Sequence, residues 1–444
     1  MRAVPPGSGR RYEPEAMKGQ RLEVDAAVRL IRPHDSLACG FVAGQPAGLL
    51  EALGARTDLE DIVLYTGLLM RPYVLLQNPA VRVVSGFFGP IERMAREAGG
   101  RVSYQPADFS TLERLGLRVK PRVVLAVTTP PDADGWLSFG VHAGATFRPF
   151  LEAARDPERL AIAEVNARMP RVGGDPELGG NRVHVSQVDA WVEHDEALVT
   201  IPDTEPSAED LTIAQLVLER MQPEAILQFG IGAIPDEIAS RLAKGSQDGF
   251  GIHTEMISDG VMHLHEAGKV TNRKPLHTGH TVATFALGSE KLYRWLDGNP
   301  VVRILPVSDV NDGWVLRQLP RLTSINGALA IDLGGQVAAD SVGHRQYSGA
   351  GGHESFVVGA GLAPEGRSFL CLHSTATVGG RRVSTIVPSF PDGTRVTTPR
   401  HHVQWIVTEH GAADLSVLND LERPKALVEL AHPDFRDELR AMLR

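Results

Sequence analysis

Two open, mostly parallel α/β domains of similar topology are what this 444-residue sequence predicts, and three observations carry the prediction. Short runs rich in Val, Ile and Leu ("PRVVLAV", "GALAID", "VVRILPV") alternate with helical patterns, the rhythm of βα units on a parallel sheet. The chain is too long for one ordinary core, and 43% hydrophobic with 22% charged residues is the mix of a soluble globular protein. It also repeats itself at a spacing of about 190 residues, which means duplication of a whole domain rather than a solenoid of short units.

The repeat can be followed element by element. "LEVDAAVRLIRPHDSLACGFVAGQP" gives a helical stretch, Pro33, a strand, then Gly40 and a turn ending at Pro46. "LTIAQLVLERMQPEAILQFGIGAIP" repeats this order with Pro223, Gly230, Gly232 and Pro235, and the step from Pro to Gly has the same length in both. Further on, "IVLYTG" (62–67) falls where "GIHTEM" (251–256) falls. "VVSGFFGPIERM" (83–94) matches "TVATFALGSEKL" (281–292), and "SQVDAWVE" (186–193) matches "HHVQWIVTE" (401–409). A linker-like "IPDTEPSAED" (201–210) separates the copies, so the expected organisation is a Pro/Gly-rich leader 1–20, a first domain 21–205 and a second domain 206–444.

In open α/β sheets ligands gather beyond the carboxyl ends of the strands. "AILQFGIGAIPDEIASRLAKG" reads as a strand over 225–229, a tight turn at Gly230 and Gly232, Pro235 at the first helical position and Gly245 at the helix end. Such a turn can cradle an anion, but the third glycine of a dinucleotide fingerprint is missing and Asp236 and Glu237 occupy the positive end of the helix. Ligand binding and a turn that serves only strand–helix packing stand level here. In "GIHTEMISDG", His253 and Glu255 are two apart and would share a side of an extended segment. Most glutamates are solvated surface charges. Glu255, however, has Gly67 at its place in the first copy, an asymmetry that a scaffold charge would not need. In "QYSGAGGHESF", Gly349, Gly351 and Gly352 form a turn whose N–H groups could stabilise an oxyanion, or simply connect two elements.

Other chemistries lack their signatures. A net charge of −9 without a dense Lys/Arg block argues against a nucleic-acid surface. Cys39 and Cys371 alone cannot make a disulfide framework or a four-thiolate zinc site, and they suit a reducing compartment. There is no Walker loop, no G-x-S-x-G elbow and no H-E-x-x-H; "HTE" lacks the P-C-x-x-C of a zinc deaminase. His253, His263, His265, His277 and His280 cluster in sequence, but scattered structural roles explain them better than a metal. The leader has no apolar core and no run approaches membrane-spanning length, so a cytoplasmic protein with no membrane partner is expected.

Taken together, "LQFGIGAIPDEIASRL", "GIHTEMISDGVMHLHEAGKVTN", "GALAIDLGGQVAADSVG", "YSGAGGHESF", "VTTPRHHVQWIVTEHGAADL" and "LAHPDFRDEL" resemble the acetyl-CoA hydrolase/transferase family of class I CoA-transferases, in particular its 4-hydroxybutyrate and butyrate types. "PPDADGWLSFG", "AEVNARMPR" and "VHVSQVDAWVE" extend the resemblance through the first half. It implies a duplicated CoA-transferase fold, with Glu255 as the nucleophile. The loop Gly230, Ile231, Gly232, Ala233, Ile234 and the turn Gly349, Gly351, Gly352 would contact CoA. It further implies acyl-CoA and a small carboxylate as substrates, no permanently bound cofactor, no metal, and a homodimer or homotetramer. Where many relatives carry Gln and Asp after the glycine run, this chain has His353 and Ser355. A histidine there could admit a different carboxylate or activate water, which keeps an acyl-CoA hydrolase as the alternative and a non-catalytic acyl-CoA-binding protein behind it.

Overall fold

A computed structural model describes residues 18–202 and 205–443. Eight strands of the first half build its main sheet: β1 (Gln20–Arg21), β2 (Ser36–Cys39), β3 (Ile62–Thr66), β4 (Val81–Ser85), β5 (Val102–Tyr104), β6 (Val123–Thr128), β7 (Leu160–Val165) and β8 (Ala190–Glu193). They form one wholly parallel sheet in the order β1-β8-β7-β6-β2-β3-β4-β5. The central strands "VVLAVT" and "LAIAEV" are buried along their whole length, as a sheet covered on both faces requires, whereas β3 and β4 alternate buried and half-buried positions.

The second half repeats this plan. The strands that carry the plan are β9 (Ile226–Phe229), β10 (Gly251–Ile252), β11 (Thr281–Ala283), β12 (Val302–Ile304), β13 (Leu322–Gly327), β14 (Arg367–Cys371), β15 (Trp405–Thr408) and β16 (Gly411–Asp414), beside several shorter pairs. Six of them run β16-β15-β14-β13-β9-β10, parallel except for the β15–β16 hairpin, and a bridge from His253 to Val282 leads on to the parallel pair β11–β12. Strands β9 to β15 thus follow the order of β2 to β8, as the internal repeat predicts.

Register settles which residues correspond. Ser36 pairs with Val63 and Ile226 with Gly251, so Gly67 and Glu255, each four residues further along, hold equivalent places. A side chain at Gly67 would meet Phe41 Cε1 at 2.1 Å. An aromatic ring therefore fills, in the first half, the space that a carboxylate takes in the second.

Helix Ala233–Lys244 ends at Gly245 as expected. Its start differs: Gly232, at φ +125°, is the N-cap, and Pro235 is the third helical residue, where its missing N–H still belongs to the unpaired first turn. Between β8 and β9 the chain enters helix Ala208–Leu218 through a capping box of Ser207 and Asp210. The halves meet through an apolar seam, since one buried cluster draws on Phe139, Phe147 and Phe150 as well as Phe229, Phe250 and Phe369. No helix among the described residues is long and apolar enough to cross a membrane.

Candidate active site

Glu255, Gly230, Ile231 and the turn Gly349–Gly352 line one cavity, closed on the far side by Phe87 of the first half. The backbone at Glu255 is pinned from both sides. Buried Thr254 accepts a hydrogen bond from Phe229 N–H at 3.3 Å and donates to the Met256 carbonyl at 3.1 Å. The Glu255 carbonyl accepts from Thr284 N and from Thr284 Oγ1, both at 2.9 Å. The chain bends between β10 and the short strand Met256–Ile257, and the side chain leaves the sheet edge at that bend.

Asn311 Nδ2 donates to Glu255 Oε2 at 2.6 Å, and the Gly352 backbone N–H acts on the same carboxyl group to favour its charged form. Burial nevertheless pushes this acid up to about 7; the two donors oppose the shift, and the nearby Asp108 adds to it. Chemistry that needs the carboxylate should then lose rate as pH falls through about 7, because protonation removes the attacking lone pair while the neutral acid suits the buried site. A profile of kcat/KM against pH checks this; an acid limb at the ordinary value for glutamate, near 4.5, would contradict it.

The glycine turn allows this close approach. A Cβ on Gly352 would stand 1.9 Å from Glu255 Oε2 and 2.5 Å from Asn311 Nδ2. Gly351 has φ +54°, and a Cβ on Gly349 would press on Phe87 Cα at 2.8 Å. The first half also holds the turn: Phe109 N–H donates to the Gly351 carbonyl at 2.9 Å, Ala350 N–H to Tyr104 Oη at 3.3 Å, and Ser355 Oγ to Asp108 Oδ2 at 3.4 Å.

The structure brings only some of the other residues singled out from the sequence to this centre. His253 does not touch Glu255. Its Nε2 hydrogen-bonds the Val310 carbonyl at 2.8 Å, so the pair two residues apart do face one segment, but through consecutive partners, Val310 and Asn311. Burial pulls His253 down to about 3, so the ring is neutral, and Nδ1 has no partner. His353 lines the cavity, is held at Nε2 by Thr398 Oγ1 at 2.9 Å and is pulled by burial down to about 4. Ser355 faces Asp108 and is not among the cavity's lining residues. Gly230 spends its N–H on the Ile325 carbonyl at 2.8 Å, Ile231 is 52% exposed, Gly232 and Ala233 line an adjoining cavity shared with Ile231, and Ile234 packs on the apolar core. His265, His277 and His280 bond separately to Thr281, Asp175 and Thr278.

Asn311, bonded to Glu255, and Phe87, on the cavity wall, are the neighbours that sequence reasoning missed. Asn311 follows the one-turn helix Val307–Val310 in "LPVSDVNDGW", a stretch with no periodicity or motif that would mark it. Phe87 lies in a segment that the internal repeat had already matched, but as scaffold only.

The paired α/β architecture thus sets one carboxylate, Glu255, against a glycine turn, with the neutral imidazole of His353 on the same cavity wall. Comparison with known proteins gives the family. Residues 288–443 match the acetyl-CoA hydrolase/transferase C-terminal domain. The butyryl-CoA:acetate CoA-transferase of Anaerostipes caccae is 35% identical over 94% of this chain and 94% of its own. The 4-hydroxybutyrate coenzyme A transferase of Clostridium kluyveri is 35% identical over 96% and 97%. Among solved structures, RipA from Yersinia pestis superposes with a TM-score of 0.86 at 33% identity, covering 97% of this chain and 98% of that one. The 4-hydroxybutyrate CoA-transferase of Porphyromonas gingivalis gives 0.77 at 29% identity, covering 96% and 97%. The chain belongs to the acetyl-CoA hydrolase/transferase family of CoA-transferase enzymes.

Proposed function

We propose that this enzyme moves CoA from a short-chain acyl-CoA to a small carboxylate by covalent catalysis at Glu255. The observation that carries the reading is the placement of that carboxylate: Oε2 is held by Asn311 Nδ2, which leaves Oε1 as the attacking atom beside the glycine turn.

Oε1 adds to the thioester carbonyl, the C–S bond breaks, and CoA leaves as thiolate, giving an acyl-glutamyl anhydride. The thiolate returns to the glutamyl carbonyl and expels the donor's carboxylate, so the enzyme holds a glutamyl-CoA thioester. An acceptor carboxylate then runs the two steps in reverse and departs as the new acyl-CoA. No net proton is consumed and the thioester bond energy stays on the enzyme. When the glutamyl carbonyl is attacked, negative charge grows on an oxygen of Glu255 itself, where Asn311 Nδ2 already donates and the Gly352 N–H favours the charged form. These donors need little reorganisation. The pantetheine arm would reach this point between the Gly230–Ile234 loop and Gly349, Gly351 and Gly352, on the second of two domains that divide near residue 205. Phe87 and the seam behind it keep water from the intermediates.

Hydrolysis driven by His353 fits less well, because its Nε2 is engaged by Thr398 and the ring is a weak base. The test is mass spectrometry after incubation with acyl-CoA alone, which should add the mass of CoA to the peptide carrying Glu255. Free CoA released at one rate with or without an acceptor, and no adduct, would replace the reading with a hydrolase.

A further inference from the structure

Asn311 is not held in place by its own half alone. The one-turn helix before it, Val307–Val310, is gripped by two helices of the first half, Phe109–Val119 and Phe147–Arg155. Glu113 Oε2 accepts from Ser308 N–H at 3.2 Å. Arg148 donates to Ser308 Oγ and, through Nη2, to Asp309 Oδ2 at 2.7 Å. Arg148 also lies 3.7 Å from Glu113, and the Gly144 carbonyl accepts from Val307 N–H at 3.1 Å. From there two short links reach the reacting group: Asn311 N–H closes on the Val307 carbonyl at 2.8 Å, and Asn311 Nδ2 donates to Glu255.

This grip sets a partly exposed cation, with the Arg148 side chain 36% exposed, against more deeply buried acids. Glu113 is 1% exposed, and burial pushes it and Asp309 upward, with the Arg148 guanidinium opposing the shift in both. His277 and Asp312 are the other charges acting on Asp309. Two acids that would each resist ionisation are thus served by one cation, and the geometry of the helix between them depends on that cation staying put. We infer that Arg148, with Glu113, positions Asn311 and thereby sets the ionisation and aim of Glu255. The first half would then act on the second half's carboxylate as a clamp acting through the Ser308–Asn311 segment. The inference rests on Glu255 being the nucleophile.

Loss of the clamp should free Asn311 and weaken its bond to the charged form of Glu255, so the acid limb should move up. The experiment follows single-turnover formation of the CoA adduct on Glu255 from pH 5.5 to 8.5 in the full-length enzyme and in Arg148→Met, Arg148→Lys and Ser308→Ala. Arg148→Met is expected to slow the adduct about tenfold at pH 6.5 and to raise the midpoint by about one unit, with the rates converging at high pH. Arg148→Lys should recover most of both, and Ser308→Ala should fall between. A midpoint that stays put in Arg148→Met, whether the rate is unchanged or lowered evenly at every pH, overturns the clamp. If Arg148→Met does not fold, as read by its thermal melt, the same two readouts in Arg148→Lys and Ser308→Ala decide. No adduct in the wild-type enzyme fails the Glu255 reading instead, and the two failures are distinguishable.

Discussion

Glu255→Ala is expected to abolish adduct formation and to lower kcat by three or more orders of magnitude, the loss typical when a covalent route disappears. Glu255→Gln should behave alike, because an amide has neither the charge nor the leaving ability that the anhydride needs. A steady-state assay with an acyl-CoA donor and a carboxylate acceptor measures this, and a variant within tenfold of the wild type would end the proposal. Stability should move the other way. The folded-state value of Glu255, about 7, lies above the ordinary glutamate value of 4.5, so the folded protein favours the protonated acid. Its stabilising contribution is present below about 4.5 and is lost as pH rises through about 7. Removing the carboxyl should therefore raise the thermal midpoint more at pH 8 than at pH 5. The gain is about 1–3 kcal/mol at most, since the side chain keeps some contact with solvent and Asn311 loses a partner. A catalytic group that costs stability where it works is a common arrangement.

Gly352→Ala is the second large effect. The added methyl would overlap Glu255 Oε2 and Asn311 Nδ2, so one of the two must leave the other. Relief of such overpacking costs about 1–3 kcal/mol. The loss of a donor to a developing oxyanion is worth about 100-fold in rate. Activity should fall by about that factor while the thermal melt stays cooperative, which separates site damage from unfolding. A Gly352→Ala enzyme within threefold of the wild type would mean that Glu255 does not work from the position seen here.

Much of this was legible before any coordinates. The repeat foretold that the two halves share one mostly parallel α/β topology, because hydrophobic runs and glycine turns are local signals that survive in one dimension. It also paired Gly67 with Glu255, a match that the strand registers bear out residue by residue. Asn311 was not legible, because its meaning lies in a contact across 56 residues of chain. The same holds for Phe87 and Phe109, which close the cavity and hold its turn from the other half. His253 shows the limit from a different direction: strand geometry gave the side it faces, but not that a backbone carbonyl rather than a carboxylate waits there.

Phe41 against Gly67 has a consequence for counting. Two copies of one fold lie in each polypeptide, yet the position that could carry a second acid is sealed by a ring. Labelled thioester should therefore load each chain once and never twice, however many chains assemble. The sealed copy is left to act as a wall and an anchor for its twin.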